Sequence, residues 1–178
     1  MMRRSLISHP TTSLAGATVS LDVRRTGDGQ VLFWFSASGM SGVRLSHDGR
    51  PPTRDRLDEL WRHTCCEAFI KAGTGYYEFN FAPGGDWQAY HFTGYREGMS
   101  RPDLPTPIVS AHRHGDLWQL QAYVDPGGLP GLQDGAPLVM GASAVIETKA
   151  GDISYWALAH PSDKPDFHHP DSFVLELP

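Results

Sequence analysis

Three runs decide the fold: Cys65-Cys66-Glu67-Ala68-Phe69-Ile70-Lys71, Tyr76-Tyr77-Glu78-Phe79-Asn80-Phe81-Ala82 and Trp87-Gln88-Ala89-Tyr90-His91-Phe92. Between them stand Ala72-Gly73-Thr74-Gly75 and Pro83-Gly84-Gly85-Asp86, loops short enough to turn the chain back on itself as hairpins. With Lys71 opposite Tyr76, the pairs Ile70 with Tyr77, Ala68 with Phe79 and Cys66 with Phe81 fall on one side as core pairs. The other side pairs Glu67 with Asn80 and Phe69 with Glu78, and it takes in Trp61, His63 and Cys65 if the strand runs unbroken. A four-residue second loop sets Ala82 against Trp87, Asn80 against Ala89 and Glu78 against His91, while Phe79 meets Tyr90 and Tyr77 meets Phe92. A one-residue slip turns every side chain of a strand to the opposite face, so the hydrophobic pattern is taken to select this register. Gln88 opposite Phe81 is the one poor fit.

Outward from this block the same pattern continues. Ala17, Val19, Leu21 and Val23 alternate with Thr18, Ser20, Asp22 and Arg24 before the turn Thr26-Gly27-Asp28-Gly29, which predicts a half-buried strand. Val31 to Ser38 predicts its more central partner. Further strands are expected at 106–112, 117–124, 138–147, 153–159 and 172–177. Residues 47–58 are charged and proline-containing, and read as loop with room for one helical turn near the end. No apolar periodicity of 3.6 outlasts two turns. The expectation is an all-β, two-sheet antiparallel β-sandwich, immunoglobulin-like or jelly-roll, of about ten strands. The 178 residues fit a single domain, 1–178, with 1–12 as a flexible N-terminal segment.

Fifteen Lys and Arg against 20 Asp and Glu give a net charge of -5, so no basic field is available for nucleic acid. No window reaches the roughly 18 apolar residues of a membrane span. The first ten residues lack the apolar run of a signal peptide. Cys65 and Cys66 are adjacent, so on a strand they point to opposite faces and read as two reduced thiols. A soluble, cytoplasmic protein is expected on these grounds.

The polar side of the hairpin block carries Glu67, Glu78, Asn80 and His91 with the rings of Trp61 and Trp87. Such a surface suits a small ligand with hydroxyl groups and a flat apolar face, as a sugar has: indoles cover the C–H face while carboxylates and amides bond the hydroxyls. The competing reading is an ordinary outer face, or one covered by another element, in which the aromatics merely pack.

The stretch Leu60 to Ile70 followed by Tyr76 to Trp87 resembles the DOMON-like group related to family-9 carbohydrate-binding modules. The likeness extends to Tyr95-Arg96-Glu97-Gly98-Met99. A second block covers Ser154 to Pro161, Lys164 to His168 and Asp171-Ser172-Phe173. The resemblance implies a β-sandwich that binds sugar or, in some relatives, haem, and it implies no reaction. By its motif positions Trp61, Glu67, Glu78, Asn80 and Trp87 are carried over as ligand-binding, with Arg62, Arg96 and His160 following. Cys66 stands where an aromatic is usual, on the core side.

Other chemistries compete. Glu67 and Glu78 would be diagonal neighbours about 7 to 8 Å apart along the backbone, which raises glycoside hydrolysis. His160, His168 and His169 with Asp163 and Asp166 raise a metal site, although two prolines and a lysine interrupt the spacing. Met99, His91 and His160 are the candidate axial ligands for haem. No Gly-rich phosphate loop or Gly-x-Ser-x-Gly elbow is present. The sequence therefore reads as a non-catalytic binding domain for a small polar molecule, with no cofactor or metal and no nucleic-acid or membrane partner. A protein-interaction or structural sandwich is the main alternative.

Overall fold

The computed structural model describes residues 1–12, 14–45 and 53–178. Eleven antiparallel strands run through them. The first three are β1 (Met2–Ser8), β2 (Thr18–Arg25) and β3 (Val31–Ser38). The hairpin block supplies β4 (Cys65–Ala72), β5 (Gly75–Phe81) and β6 (Trp87–Phe92). The remainder are β7 (Ile108–His114), β8 (Leu117–Val124), β9 (Leu138–Glu147), β10 (Ile153–Ala157) and β11 (Leu175–Leu177). Two three-residue 3-10 turns, Leu60–Arg62 and Pro170–Ser172, are the helical elements among the described residues. Of the expected loop at 47–58, residues 47–52 lie outside the described residues, and 53–58 hold no helical turn; that turn comes at Leu60.

The chain is all-β and antiparallel, but its strands do not divide into two separate sheets. Hydrogen bonds run in one path, β6-β5-β4-β9-β10-β1-β2-β3-β8-β7, with β11 beside β9. The joint is β1, which pairs with β2 through Met2–Leu6 and then with β10 through Ile7 and Ser8. Residues 2–8, expected to be flexible, thus form the strand that connects the two halves. The path folds back like a barrel that stops short of closing, with β6 and β7 at its ends. Inward residues of β2, β3 and β8, such as Leu21, Phe33, Phe35 and Leu120, share one core with Ala68, Ile70, Phe79, Phe81 and Ile146. Phe33 and Phe81 meet across it with ring centres 6.4 Å apart.

The first hairpin has the expected register: Lys71 lies opposite Tyr76, Ala68 opposite Phe79 and Glu67 opposite Asn80. The second does not. Phe81 pairs with Trp87, Asn80 with Gln88, Glu78 with Tyr90 and Tyr77 with His91, one position away from the expected alignment. The turn runs from Ala82 to Asp86, closed by Ala82 N–H to Asp86 O at 2.8 Å, with Gly85 at φ 92° supplying the left-handed residue. A neighbouring segment stabilises this turn. The Asp55 N–H and the Thr53 hydroxyl both donate to Asp86 Oδ1, and Trp87 exchanges backbone hydrogen bonds with Asp55 and Leu57. Hydrophobic pattern could not choose between the alignments, because β6 carries aromatics on both faces. The slip places Gln88 where Arg56 Nε donates to its Oε1 at 2.6 Å and Asp58 accepts from its Nε2 at 2.9 Å.

Trp87 is consequently a core residue, 4% exposed, with Arg56 stacked 5.2 Å from its ring centre. Trp61, by contrast, is 36% exposed. Trp87→Ala is expected to cost about 3–5 kcal/mol, the usual penalty for deleting a buried ring. Trp61→Ala should cost about 1 kcal/mol, the size of one edge-on aromatic contact. Denaturant unfolding of the two variants checks the order, and equal losses would contradict the observed register.

Candidate functional site

Alternation along β4, β5 and β6 turns Glu67, Glu78, Tyr90 and Phe92 away from the shared core, and the neighbouring β9 and β10 add Val145 and Tyr155. These side chains line a cleft of about 540 Å³, within the range of small-molecule sites. Trp61 stands at the cleft from the 3-10 turn before β4 and meets Tyr90 edge-on, ring centres 5.7 Å apart. The segment after β10 forms another wall through Pro165, Phe167 and His168. It can lie close because Gly141 of β9 has no side chain: a Cβ there would stand 3.2 Å from Ser172 O. Phe167 and Phe173 pack on the cluster of Phe69, Tyr76, Tyr90 and Phe92.

A latch fixes this wall. Arg96, at φ 56°, donates to Asp166 Oδ1 at 2.8 Å, and the Tyr95 hydroxyl donates to the other carboxylate oxygen. Together they neutralise one another at the cleft edge, and burial is outweighed for Asp166, whose carboxyl titrates below its ordinary value because Tyr95 and Arg96 bond its ionised form. The Arg96 N–H reaches the Tyr76 hydroxyl at 3.3 Å. That hydroxyl lies 2.7 Å from His168 Nδ1. Since burial and the nearby Arg96 charge push His168 down to about 4, its ring is neutral at pH 7. Tyr76 thus bridges the Arg96 backbone and His168 Nδ1, and the other ring nitrogen, Nε2, faces Glu78. That nitrogen is 3.7 Å from Glu78 Oε2.

The cleft floor is acidic and mostly buried. Glu67 is 3% and Glu78 5% exposed. Ser143 donates to Glu67 Oε2 at 2.8 Å, and Asn80 Nδ2 donates to Glu78 Oε1 at 2.7 Å. Burial holds both carboxyls above their ordinary range, and for Glu67 the charge of Glu78 adds to the effect. The two acids are diagonal neighbours, since Glu67 faces Asn80 and Glu78 faces Phe69.

Of the residues singled out from sequence, Trp61, Glu67, Glu78 and Arg96 line the cleft. Asn80 is fully buried beneath it and acts through Glu78. Trp87 and His91 do not belong to the cleft: the register shift turns both to the core side, where His91 lies 4.7 Å from the Tyr77 ring. Tyr90 and Phe92 take their places, and the misfit of Gln88 was the signal for it. Arg62 points to Glu59 in an ion pair of 2.8 Å, and His160 is held by Ile7 O at 2.8 Å, so neither lines the cleft. His160, His168, His169, Asp163 and Asp166 form no group that could hold a metal, among the described residues. Met99 lines the cleft while His91 and His160 stand elsewhere, so the three haem candidates do not share one site. Tyr155 and Phe167 were missed as site residues, and His168 was weighed only as a metal ligand, because their approach depends on how β10 and the loop after it fold over the face.

Three solved structures share the fold. A protein of Bacteroides uniformis ATCC 8492, provisionally described as carbohydrate-binding, superposes with a TM-score of 0.73 at 14% identity, over 99% of this chain and 85% of its own. A family-9 carbohydrate-binding module from Caldicellulosiruptor kristjanssonii in complex with glucose gives 0.57 at 5% identity, over 97% and 83%. The same organism's family-9 module in complex with cellotriose gives 0.58 at 7% identity, over 93% and 76%. No protein-family model and no curated protein matches the sequence.

Buried acids leave a pH signature. A carboxyl whose folded pKa is raised binds more protons folded than unfolded between its ordinary value, 4.5, and its folded value, so stability falls as pH rises through that window. Glu67→Gln keeps the acceptor for Ser143 and removes the charge. Its melting temperature relative to the parent protein should therefore rise from pH 4 to pH 8, while the opposing contribution of His168, lost below pH 6.5, cancels in the comparison. Thermal melts across this range check it, and a difference that shrinks with rising pH would contradict the burial of an ionisable Glu67.

Proposed function

We propose that the cleft binds a small carbohydrate, or a polar metabolite of the same shape, without turning it over. The observation that carries this reading is a pair of buried carboxyl acceptors on the floor of a cleft walled by Trp61, Tyr90, Phe92, Tyr155 and Phe167. Ring faces cover the apolar C–H face of a pyranose, and the acids accept from its hydroxyls, each hydrogen bond contributing on the order of 1 kcal/mol. The structural neighbours support it: two were solved with glucose and cellotriose bound. The resemblance of Leu60 to Trp87 to DOMON-like domains accords with the same proposal.

Binding fits the geometry better than hydrolysis. A glycosidase needs its two carboxyls to differ, one kept protonated and one ionised, with the scissile bond between them. Here both acids rise from adjacent strands of one floor, and burial raises both in the same direction.

Calorimetric titration against mono- and disaccharides tests the proposal. At least one should bind, with affinity falling roughly tenfold or more in Trp61→Ala, as expected for losing a ring that stacks on the ligand. Absence of binding by any sugar would overturn it. Release of reducing ends from glycosides, abolished in Glu78→Gln, would replace it with hydrolysis.

A further inference from the structure

The two floor acids share an unusual feature. Each uses one carboxylate oxygen within the protein, Glu67 Oε2 toward Ser143 and Glu78 Oε1 toward Asn80. The other oxygens, Glu67 Oε1 and Glu78 Oε2, take no hydrogen bond from any described residue, His168 Nε2 standing off at 3.7 Å from the latter. They are not sealed in either, since among the described residues the one fully buried polar side-chain atom without a partner is Trp34 Nε1. Both residues line the cleft, so both oxygens open into it.

Among the described residues, the one cationic charge that acts on them is that of Arg96, which favours the ionised form of Glu78 without reaching bonding distance. Arg96 is the one lysine or arginine among the described lining residues, and its guanidinium is committed to Asp166 at 2.8 Å. His168 is neutral. No described lysine or arginine forms an ion pair with Glu67 or Glu78. A neutral polyol could accept this arrangement only by leaving two neighbouring carboxylates to repel each other or to hold a proton. A cation relieves both at once, and the faces of the surrounding rings attract it as well.

We propose that the cleft selects a sugar carrying a free amine, whose ammonium group sits between Glu67 Oε1 and Glu78 Oε2 while Trp61 and Tyr90 cover the ring. This rests on the carbohydrate reading above and names the substrate class within it. The ammonium donates one hydrogen to each carboxylate, and its third is left for a ligand hydroxyl or water.

The experiment compares glucosamine and galactosamine with glucose, galactose and the N-acetylated forms, by calorimetry on the full chain at pH 7. The amine form of at least one sugar should bind roughly tenfold or more tighter than its neutral parent and its N-acetyl derivative, the effect of one charge-assisted hydrogen bond. The ratio should collapse toward one in Glu67→Gln and, independently, in Glu78→Gln. Equal or tighter binding of the neutral sugars overturns this inference and leaves carbohydrate binding standing. Failure of all six to bind also overturns this inference, while carbohydrate binding itself is decided by the wider titration against mono- and disaccharides. Because the preference is read on the unaltered protein, a variant that fails to fold does not obscure the answer.

Discussion

Everything about the cleft depends on holding two carboxyl groups out of water on neighbouring strands. An isolated buried carboxylate costs several kcal/mol, and two side by side cost more. The protein offsets part of this with one dedicated donor for each acid, Ser143 from β9 and Asn80 from β5 itself. Ser143 arrives in place because β4 pairs with β9 in the observed register, which sets Glu67 opposite it, and Asn80 reaches Glu78 from two positions along the same strand. The sheet is therefore the device that positions the acids, and the aromatic cluster of Phe69, Tyr76, Tyr90 and Phe92 packs around them.

The second structural requirement is the wall. A bare sheet face would be flat, and the segment after β10 makes it concave by crossing at Gly141 and packing Phe167 and His168 over the edge. Polar links hold it there together with the packing of Phe167 and Phe173: Tyr95 and Arg96 on Asp166, and Tyr76 on His168. Asp166, which fixes the wall, also holds the Arg96 guanidinium at the cleft edge, so among the described residues no cation pairs directly with the acids of the floor.

Where local pattern and short turns determined pairing, the sequence was legible. The β4–β5 hairpin could be registered residue by residue, because one face holds only apolar residues, Cys66, Ala68, Ile70, Tyr77, Phe79 and Phe81, and a slip would bury acids among them. β6 was not legible in the same way. Trp87, Tyr90, His91 and Phe92 supply large rings on both faces, so either alignment satisfies the hydrophobic pattern, and the decision came from Asp86 and the backbone at 53–57, distant in sequence. The single warning was Gln88 in an aromatic slot. The joining role of β1 was equally hidden: Met2-Arg3-Arg4-Ser5 has no alternation, and its strand forms because β2 and β10 both offer it an edge. His168 and Tyr155 entered the site through tertiary folding alone, which no spacing records.

The central claim is that Glu67 and Glu78 are desolvated acids whose unshared oxygens face a ligand. Carbon-13 NMR of the glutamate carboxyl groups, followed through a pH titration and then through addition of a bound sugar, addresses it most directly. Two carboxyl resonances should titrate above all the other glutamates, and both should shift when the sugar is added. Carboxyls at Glu67 and Glu78 that titrate in the ordinary range, or that do not respond to a sugar the protein binds, would contradict it.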